Sequence, residues 1–145
     1  MEQEKMMRVA IAEARLSGAD VPVGAVVVKD GRIIARAHNE RETGKPFAHA
    51  EMLAMERACE ALGTRRLSGC TLFVTLEPCP LCAGGLILAG VEACVFGAFD
   101  EKQGCCGSVY CLPEDPCFSH RVQCFGGVME KECQTLLKDF FIARR

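Results

Sequence analysis

The chain has 145 residues, the length of one ordinary domain, and hydrophobic residues make up 50 % of it. This composition excludes intrinsic disorder and collagen-like or other fibrous structure. The 17 basic and 19 acidic residues give a formal net charge of −2, which argues against coating of nucleic acid through bulk positive charge but allows a local basic patch.

The first half of the chain predicts a helix, a hairpin and a second helix. Gly18 is a helix stop signal, and Asp30-Gly31 between two apolar runs is typical of a hairpin turn. Apolar periodicity and turn residues predict these elements in chain order: a helix over 2–17, strands over 21–28 and 32–35, a loop over 38–48 and a helix from about 49 to 62.

The second half predicts a βαβ unit followed by a long loop. A strand over 71–76, a helix over 79–89 and a strand over 93–97 are close enough in sequence to place the two strands parallel. The remaining predicted elements are a loop over 99–119, a short strand within 121–125 and a final helix with apolar residues from Cys133 to Phe141. Residues 1–145 are therefore expected to form a single α/β domain.

The sequence also bears on location. Its acidic start lacks the apolar region of a signal peptide, and the longest uncharged apolar stretch, 80–91, is shorter than the ~20 residues of a membrane helix. We expect a soluble cytoplasmic protein whose 11 cysteines are reduced.

Four residues at two predicted helix starts indicate metal chemistry. Cys79 and Cys82 are three apart in a first helical turn, where the helix dipole favours the thiolates that bind Zn²⁺. His49 would be a third ligand, which leaves one coordination position for water, as in catalytic zinc sites. Glu51, two residues after His49, could exchange protons with that water without ligating the metal.

Each half of this pattern has a simpler interpretation. A single His-x-Glu is common by chance, and a single Cys-x-x-Cys could be a redox pair, two buried thiols or part of a structural zinc knot. His-x-Glu at one helix start and Pro-Cys-x-x-Cys at a later one together form the signature of zinc-dependent nucleobase deaminases.

On these residues the chain resembles the cytidine deaminase-like zinc deaminases, and among them the family of bacterial tRNA-specific adenosine deaminases. The similarity spans nearly the whole chain. It includes the segments 21–25, 48–51, 75–84, 96–98 with Asp100, 107–108, 120–122 and 139–141 with Arg144 and Arg145. The zinc motif fits the whole superfamily, whereas 96–107 and 139–145 are similar to the tRNA branch.

The resemblance implies a three-layer α/β/α fold with a mixed five-stranded sheet, and a homodimer. It implies one zinc ion per subunit, held by His49, Cys79 and Cys82, with Glu51 as the proton shuttle. The implied reaction is hydrolytic deamination of adenosine to inosine at the wobble position of a tRNA anticodon stem-loop, with an arginine tRNA as the expected substrate. The alternatives are a deaminase of a free base or nucleoside, such as guanine or cytidine, and a zinc-containing RNA-binding protein without catalysis.

The resemblance also implies substrate contacts outside the metal motif. Asn39 would hydrogen bond the flipped base, Val23 and the Ala50 backbone would line its pocket, and Asp100 would contact the RNA backbone or ribose. The C-terminal residues expected near RNA are Phe140, Phe141, Arg144 and Arg145. From the residues alone, Asn39 could equally be a turn residue, the two phenylalanines could pack in the core, and the arginines could form a solvated tail.

Three residues depart from the family pattern: His38, Phe99 and Ser119. All three are expected near the RNA, with Ser119 as a substrate contact at a position where an Asn is expected. They bear on substrate breadth more than on the chemistry.

Five further cysteines are outside the family pattern: Cys105, Cys106, Cys111, Cys117 and Cys124. We expect small buried hydrophobic residues and some exposed, oxidisable thiols. A second metal site that uses the nearby His120 is the alternative, although the spacing matches no standard zinc module.

Overall fold

The computed structural model of the chain describes residues 2–144. Arg145, one of the predicted RNA contacts, is outside the described residues. The helices are α1 (Glu2–Ala14), α2 (Ala50–Leu62), α3 (Pro80–Ala89) and α4 (Glu130–Ala143). The strands are β1 (Gly24–Lys29), β2 (Arg32–His38), β3 (Cys70–Leu76), β4 (Ala93–Ala98) and β5 (Gln123–Phe125). Short 3₁₀ turns cover Arg41–Thr43 and Leu112–Glu114.

The strands form one mixed sheet in the order β2-β1-β3-β4-β5. β1 pairs antiparallel with both β2 and β3, whereas β3, β4 and β5 are parallel to one another. Buried residues of α2 and α3 pack on one face of the sheet, and those of α1 and α4 pack on the other. The three-layer α/β/α architecture with a five-stranded mixed sheet is therefore confirmed.

The hairpin turn forms for the predicted reason. Asp30 (φ 51°) and Gly31 (φ 75°) both adopt positive φ, the backbone of a type I′ turn that matches the twist of paired strands. β2 then continues to His38, three residues beyond the predicted end of this strand, because its pairing with β1 extends to Gly24.

Two predicted boundaries near the start of the chain are wrong. α1 ends at Ala14, and i→i+3 bonds from Leu16 to Glu13 and from Ser17 to Ala14 tighten the chain before Gly18. β1 begins only at Gly24, so residues 21–23 lie before the first paired residue of this strand. A Cβ at Gly24 would lie 1.9 Å from the carbonyl oxygen of Ala10, so this glycine permits the close approach of α1 to β1.

The long connection between β4 and β5 runs from residue 99 to residue 122 and carries the predicted loop. Its only regular parts within the described chain are the turn Leu112–Glu114 and an isolated bridge between Cys106 and Cys111. Within residues 2–144, none of the helices has the length and apolar character needed to cross a membrane.

Candidate metal and active site

Two helix starts place the predicted ligands side by side. His49 is the N-cap of α2 and Cys79 the N-cap of α3, both with extended backbone, and Cys82 lies in the first turn of α3. Pro80 occupies the first position of α3, where a backbone N–H would have no partner within the helix, so the proline costs no hydrogen bond. α3 starts just beyond the carboxyl end of β3, so the sheet itself positions the two thiols.

The three side chains fit a tetrahedral zinc ion. His49 Nδ1 lies 3.6 Å from Cys79 Sγ and 3.5 Å from Cys82 Sγ. Zinc bonds of about 2.3 Å to sulfur and about 2.1 Å to nitrogen, at a tetrahedral angle, place these atoms about 3.6 Å apart. His49, Cys79 and Cys82 could therefore hold a zinc ion with little movement.

The electrostatics of the cluster favour a charged ligand set. A hydrogen bond from Cys82, supported by His49, lowers the pKa of Cys79 to about 4. The hydrogen bond between Cys82 and Cys79, together with burial, raises the pKa of Cys82. The hydrogen bond between His49 and Cys79 raises the pKa of His49. One thiolate is thus present near neutral pH even in the metal-free chain, and cation binding would favour ionisation of the second thiol.

Glu51 is buried beside this cluster, with 4 % of its surface exposed. Desolvation raises the pKa of its carboxyl group to about 7, and the Cys82 thiol contacts it. A carboxyl group that titrates near neutral pH can both accept and donate a proton, which is the requirement for a proton shuttle.

The cluster opens into a cleft of about 740 Å³. His49, Glu51 and Cys79 lie at its base, and both phenylalanines of its wall, Phe99 and Phe141, are partly exposed. Its other lining residues are Val21, Val23, Asn39, Arg41, Leu76, Glu77, Asp100, Glu101, Lys102, Gln103, Glu130, Gln134 and Leu137. The volume is large enough for a nucleoside.

Asn39 lines the cleft, and its side chain also connects two of the segments around it. Its side-chain Oδ1 accepts the Ala50 backbone N–H (2.9 Å), and its Nδ2 donates to the Val21 carbonyl (3.0 Å). Val23 lines the cleft as predicted, whereas the Ala50 side chain is fully buried and its N–H is already bonded. Asn39 retains one side-chain N–H and one lone pair for a base, so its predicted contact remains compatible with this bracing role.

Glu77 is a residue that the analysis of the sequence missed. Its buried carboxylate accepts backbone N–H bonds from Asp100 (3.0 Å), Cys106 (3.1 Å) and Ser108 (2.9 Å), and a bond from the Ser108 hydroxyl. Asp100, a predicted substrate contact, lines the cleft, and its carboxylate accepts N–H bonds from the next turn of the chain. Glu77 therefore holds the loop that forms one wall.

Arg41 was also missed. Its guanidinium donates to Asp20, a carboxylate with 1 % of its surface exposed, and it lines the cleft. Asp20 also accepts the backbone N–H groups of Val21 and Glu42. The signal in the sequence was weak, because an Asp and an Arg 21 residues apart form no recognisable motif.

At the end of α4, Phe141 and Arg144 are exposed and Phe140 is half-buried. Phe141 lines the cleft, and its ring contacts that of Phe140 edge-on at 5.2 Å. The Arg144 guanidinium stacks 3.9 Å above the Phe140 ring and donates to the Ala19 carbonyl. Core packing of these phenylalanines, the simpler interpretation, does not occur in this chain.

The three departures from the family pattern lie in different places. Phe99 lines the cleft, and His38 Nδ1 contacts the Glu13 carboxylate at 2.9 Å. Ser119 is exposed and is not among the residues that line the cleft. Its neighbour His120 bonds to the Val91 carbonyl just before β4, at the amino end of this strand, whereas the cluster lies at the carboxyl end of β3.

Known proteins are similar to this chain in sequence and in fold. The family model for MafB19-like deaminases matches residues 1–145. The tRNA-specific adenosine deaminase of Bacillus subtilis (strain 168) is 52 % identical over 143 residues, covering 97 % of this chain and 89 % of that protein. The chain belongs to the tRNA-specific adenosine deaminase family.

Solved structures of two kinds of deaminase are similar to this chain. A structure from studies of A-to-I editing by tRNA:A34 deaminases at the wobble position of transfer RNA has a TM-score of 0.87 and 41 % identity, covering 92 % of this chain and 99 % of that one. A guanine deaminase from Bacillus subtilis has a TM-score of 0.64 and 38 % identity, covering 66 % of this chain and 64 % of that one.

Proposed function

We propose that this protein catalyses zinc-dependent hydrolytic deamination of adenosine to inosine at the wobble position of a tRNA anticodon, with an arginine tRNA as substrate. The observation that carries the proposal is the buried Glu51 carboxyl beside the His49, Cys79 and Cys82 cluster at the base of an open cleft. The identity to tRNA-specific adenosine deaminases supports the choice of substrate.

One zinc ion per chain would be held by the two thiols and the imidazole. When bound, zinc acidifies a water molecule in its remaining coordination position. Two thiolates and a neutral imidazole leave the metal without net charge, so the acidification is weaker than at an all-histidine site. A base beside the metal is then more useful, and Glu51 is placed to be that base.

Glu51 would carry protons from water to the substrate. The overall reaction adds the oxygen of water at C6 of adenine and releases the exocyclic amine as ammonia. Glu51 takes one proton from the water and delivers it to ring N1, then takes the second from the hydroxyl added at C6 and delivers it to the departing amine. In the metal-free chain, burial raises the pKa of Glu51 to about 7, so both protonation states are accessible near neutral pH.

The rest of the cleft offers groups suited to RNA. Phe99 and Phe141 present ring faces on which unpaired bases can stack, and Arg41 and Lys102 can contact phosphates. A wobble base in a single-stranded loop needs little energy to turn into the cleft, where the remaining polar atoms of Asn39 could bond it.

We also propose a cytoplasmic homodimer. Apolar side chains of α2 and α3, including Met52 and Met55, line an open groove, and Leu88 on its rim is 81 % exposed. An apolar surface of this kind is typical of protein interfaces. A second copy would also allow Ser119, which lies far from the cluster of its own chain, to approach the RNA of its partner.

A free-base deaminase is the second candidate, favoured by the 38 % identity to a guanine deaminase. An assay with an arginine tRNA anticodon stem-loop carrying adenosine at the wobble position, run beside free adenosine, cytidine and guanine, separates the two candidates. We expect inosine from the stem-loop alone. Ammonia from a free base alone would refute the tRNA substrate but keep the hydrolytic chemistry, and a non-arginine stem-loop deaminated equally well would refute only the arginine preference.

The role of Glu51 is tested by Glu51→Gln, with Glu56→Gln on the exposed face of the same helix as the matched control. Loss of general acid-base catalysis should lower kcat by about 10²- to 10⁴-fold. The zinc content should stay unchanged, because Glu51 is not among the three ligands. A Glu51→Gln protein with the activity of the control would refute the proton-shuttle role of Glu51. A native protein that binds the stem-loop but releases no inosine would favour an RNA-binding protein without catalysis.

A further inference from the structure

The extra cysteines form a second cluster on the long connection. Cys105 and Cys106 are buried, Cys111 and Cys124 are half-buried, and Cys117 is exposed. Within the described residues, neither Cys117 nor His120 belongs to a metal-binding group. The expectation of buried thiols thus holds for Cys105 and Cys106, whereas a second metal site built on His120 is not what the structure presents.

A different trio meets the geometric requirement. The Cys111 Sγ, a Glu114 carboxylate oxygen and the Cys124 Sγ all lie within 4.8 Å of one another. Tetrahedral zinc with thiolate and carboxylate ligands holds such atoms about 3.5–3.8 Å apart. The ligand atoms need to approach one another by about 1.3 Å at most, which rotation about the side-chain bonds can supply.

Backbone groups hold these ligands in position. The backbone N–H of Glu114 opposes the rise in the pKa of the Cys111 thiol that burial causes. The Glu114 carboxylate accepts the Cys124 N–H (2.8 Å), although the residue itself is exposed. Cys111 and Glu114 form a Cys-x-x-Glu motif, and the 3₁₀ turn that begins after Cys111 sets the relative position of these two ligands.

Cys106 is a neighbouring thiol that could become a fourth ligand. It pairs with Cys111 through an isolated β-bridge, although its Sγ is not within 4.8 Å of all three atoms of the trio. Three thiolates and one carboxylate are a donor set suited to zinc, since sulfur excludes Mg²⁺ and Ca²⁺ and the carboxylate is a poor ligand for Cu(I). A closed set of four protein ligands is the mark of a structural rather than a catalytic zinc site.

We propose that Cys111, Glu114 and Cys124, with Cys106 as the fourth ligand, bind a second zinc ion that is structural. Such a site would stabilise the connection from residue 99 to residue 122, which is long for a segment with so little regular structure. A metal ion would join β5 to the middle of that connection. The same connection is bonded to Glu77 and forms a wall of the catalytic cleft.

The test is the zinc content of the full-length protein, purified after growth with zinc and measured by plasma emission spectrometry. We expect two zinc ions per chain in the native protein, and one in Cys124→Ser and in Glu114→Gln. Cys117→Ser, an exposed thiol of the same connection, is the matched control and should keep both ions. Glu114→Gln retains an oxygen for the Cys124 N–H, so it removes a ligand charge without removing that hydrogen bond.

Cobalt substitution gives a readout independent of activity. Co²⁺ bound to thiolates absorbs by charge transfer, so Cys124→Ser and Cys111→Ser should each lose part of the native absorbance while Cys117→Ser retains all of it. Circular dichroism confirms that each variant is folded. One zinc ion per chain in the native protein, or two ions retained in folded Cys124→Ser and Glu114→Gln, would overturn the proposal. Stem-loop deamination is scored separately, so neither result bears on the proposed function.

Discussion

Glu77→Gln is the substitution that most directly tests how the cleft wall is held. One carboxylate oxygen accepts the Asp100 N–H and the Ser108 hydroxyl, and the other accepts the Cys106 and Ser108 N–H groups. A glutamine side chain has only one oxygen, and its NH₂ group would have to face at least one backbone N–H. The variant thus loses the charge and places two donors against each other.

The expected magnitude follows from these bonds. Glu77 is 2 % exposed, so a donor left without an acceptor there cannot turn to water. Loss of charge-assisted hydrogen bonds together with one unsatisfied buried N–H should lower the free energy of unfolding by about 2–4 kcal/mol. The loop that carries Asp100 should loosen as well, so the KM for the stem-loop should rise.

Urea denaturation of the native protein and the variant measures this loss. Glu101→Gln is the matched control, because it makes the same chemical change at an exposed position of the same loop. Its effect should be within about 0.5 kcal/mol. A Glu77→Gln protein that loses less than about 1 kcal/mol, or no more than the control, would refute the reasoning.

Three further predictions rest on other parts of the molecule. In metal-free protein, Glu51 has a folded-state pKa raised from 4.5 to about 7, so the native state holds the extra proton and the contribution of Glu51 to stability should fall as pH rises through this window. Because the lowered pKa of Cys79 acts in the opposite direction, the quantity to follow by chemical denaturation is the difference in free energy of unfolding between the native protein and Glu51→Gln, which should fall from pH 4.5 to pH 7. Phe141→Ala removes a stacking surface and should raise the KM for the stem-loop by about 5- to 150-fold, with exposed Ile142→Ala as the control and an unchanged KM contradicting the RNA role. Leu88→Glu should convert the proposed dimer to a monomer in size-exclusion chromatography with light scattering, whereas Leu16→Glu should not; a Leu88→Glu dimer would place the interface elsewhere.

The sequence predicted the parts of the site that depend on local signals. His49, Cys79 and Cys82 could be recognised because each lies at a helix start with a characteristic spacing. Within one helical turn, that spacing determines which side chains share a face. The hairpin was predictable for the same reason, since Asp30-Gly31 determines its own turn type.

Contacts between distant segments could not be read in the same way. Glu77 acquires its role from backbone groups 23 to 31 residues away, none of which has a distinctive side-chain pattern. Ser119 lies near the amino end of β4, away from the cluster, because of the path of the connection after β4, and no periodicity in that connection revealed the path. Residues 21–23 have the composition of a strand, but Asn39 takes the Val21 carbonyl instead.

The balance of charges around the cleft has a consequence for the way the protein would respond to salt. Its lining carries Arg41 and Lys102 but also several carboxylates, and Arg144 lies beyond Phe141 at its rim. With about three phosphate contacts and a slope of about −0.7 for each in single-stranded nucleic acid, a fourfold rise in salt should weaken RNA binding by only about 20-fold. An anticodon loop would then be retained mainly by the shape of the cleft and by stacking on its aromatic rings, and little of the affinity would come from released counterions.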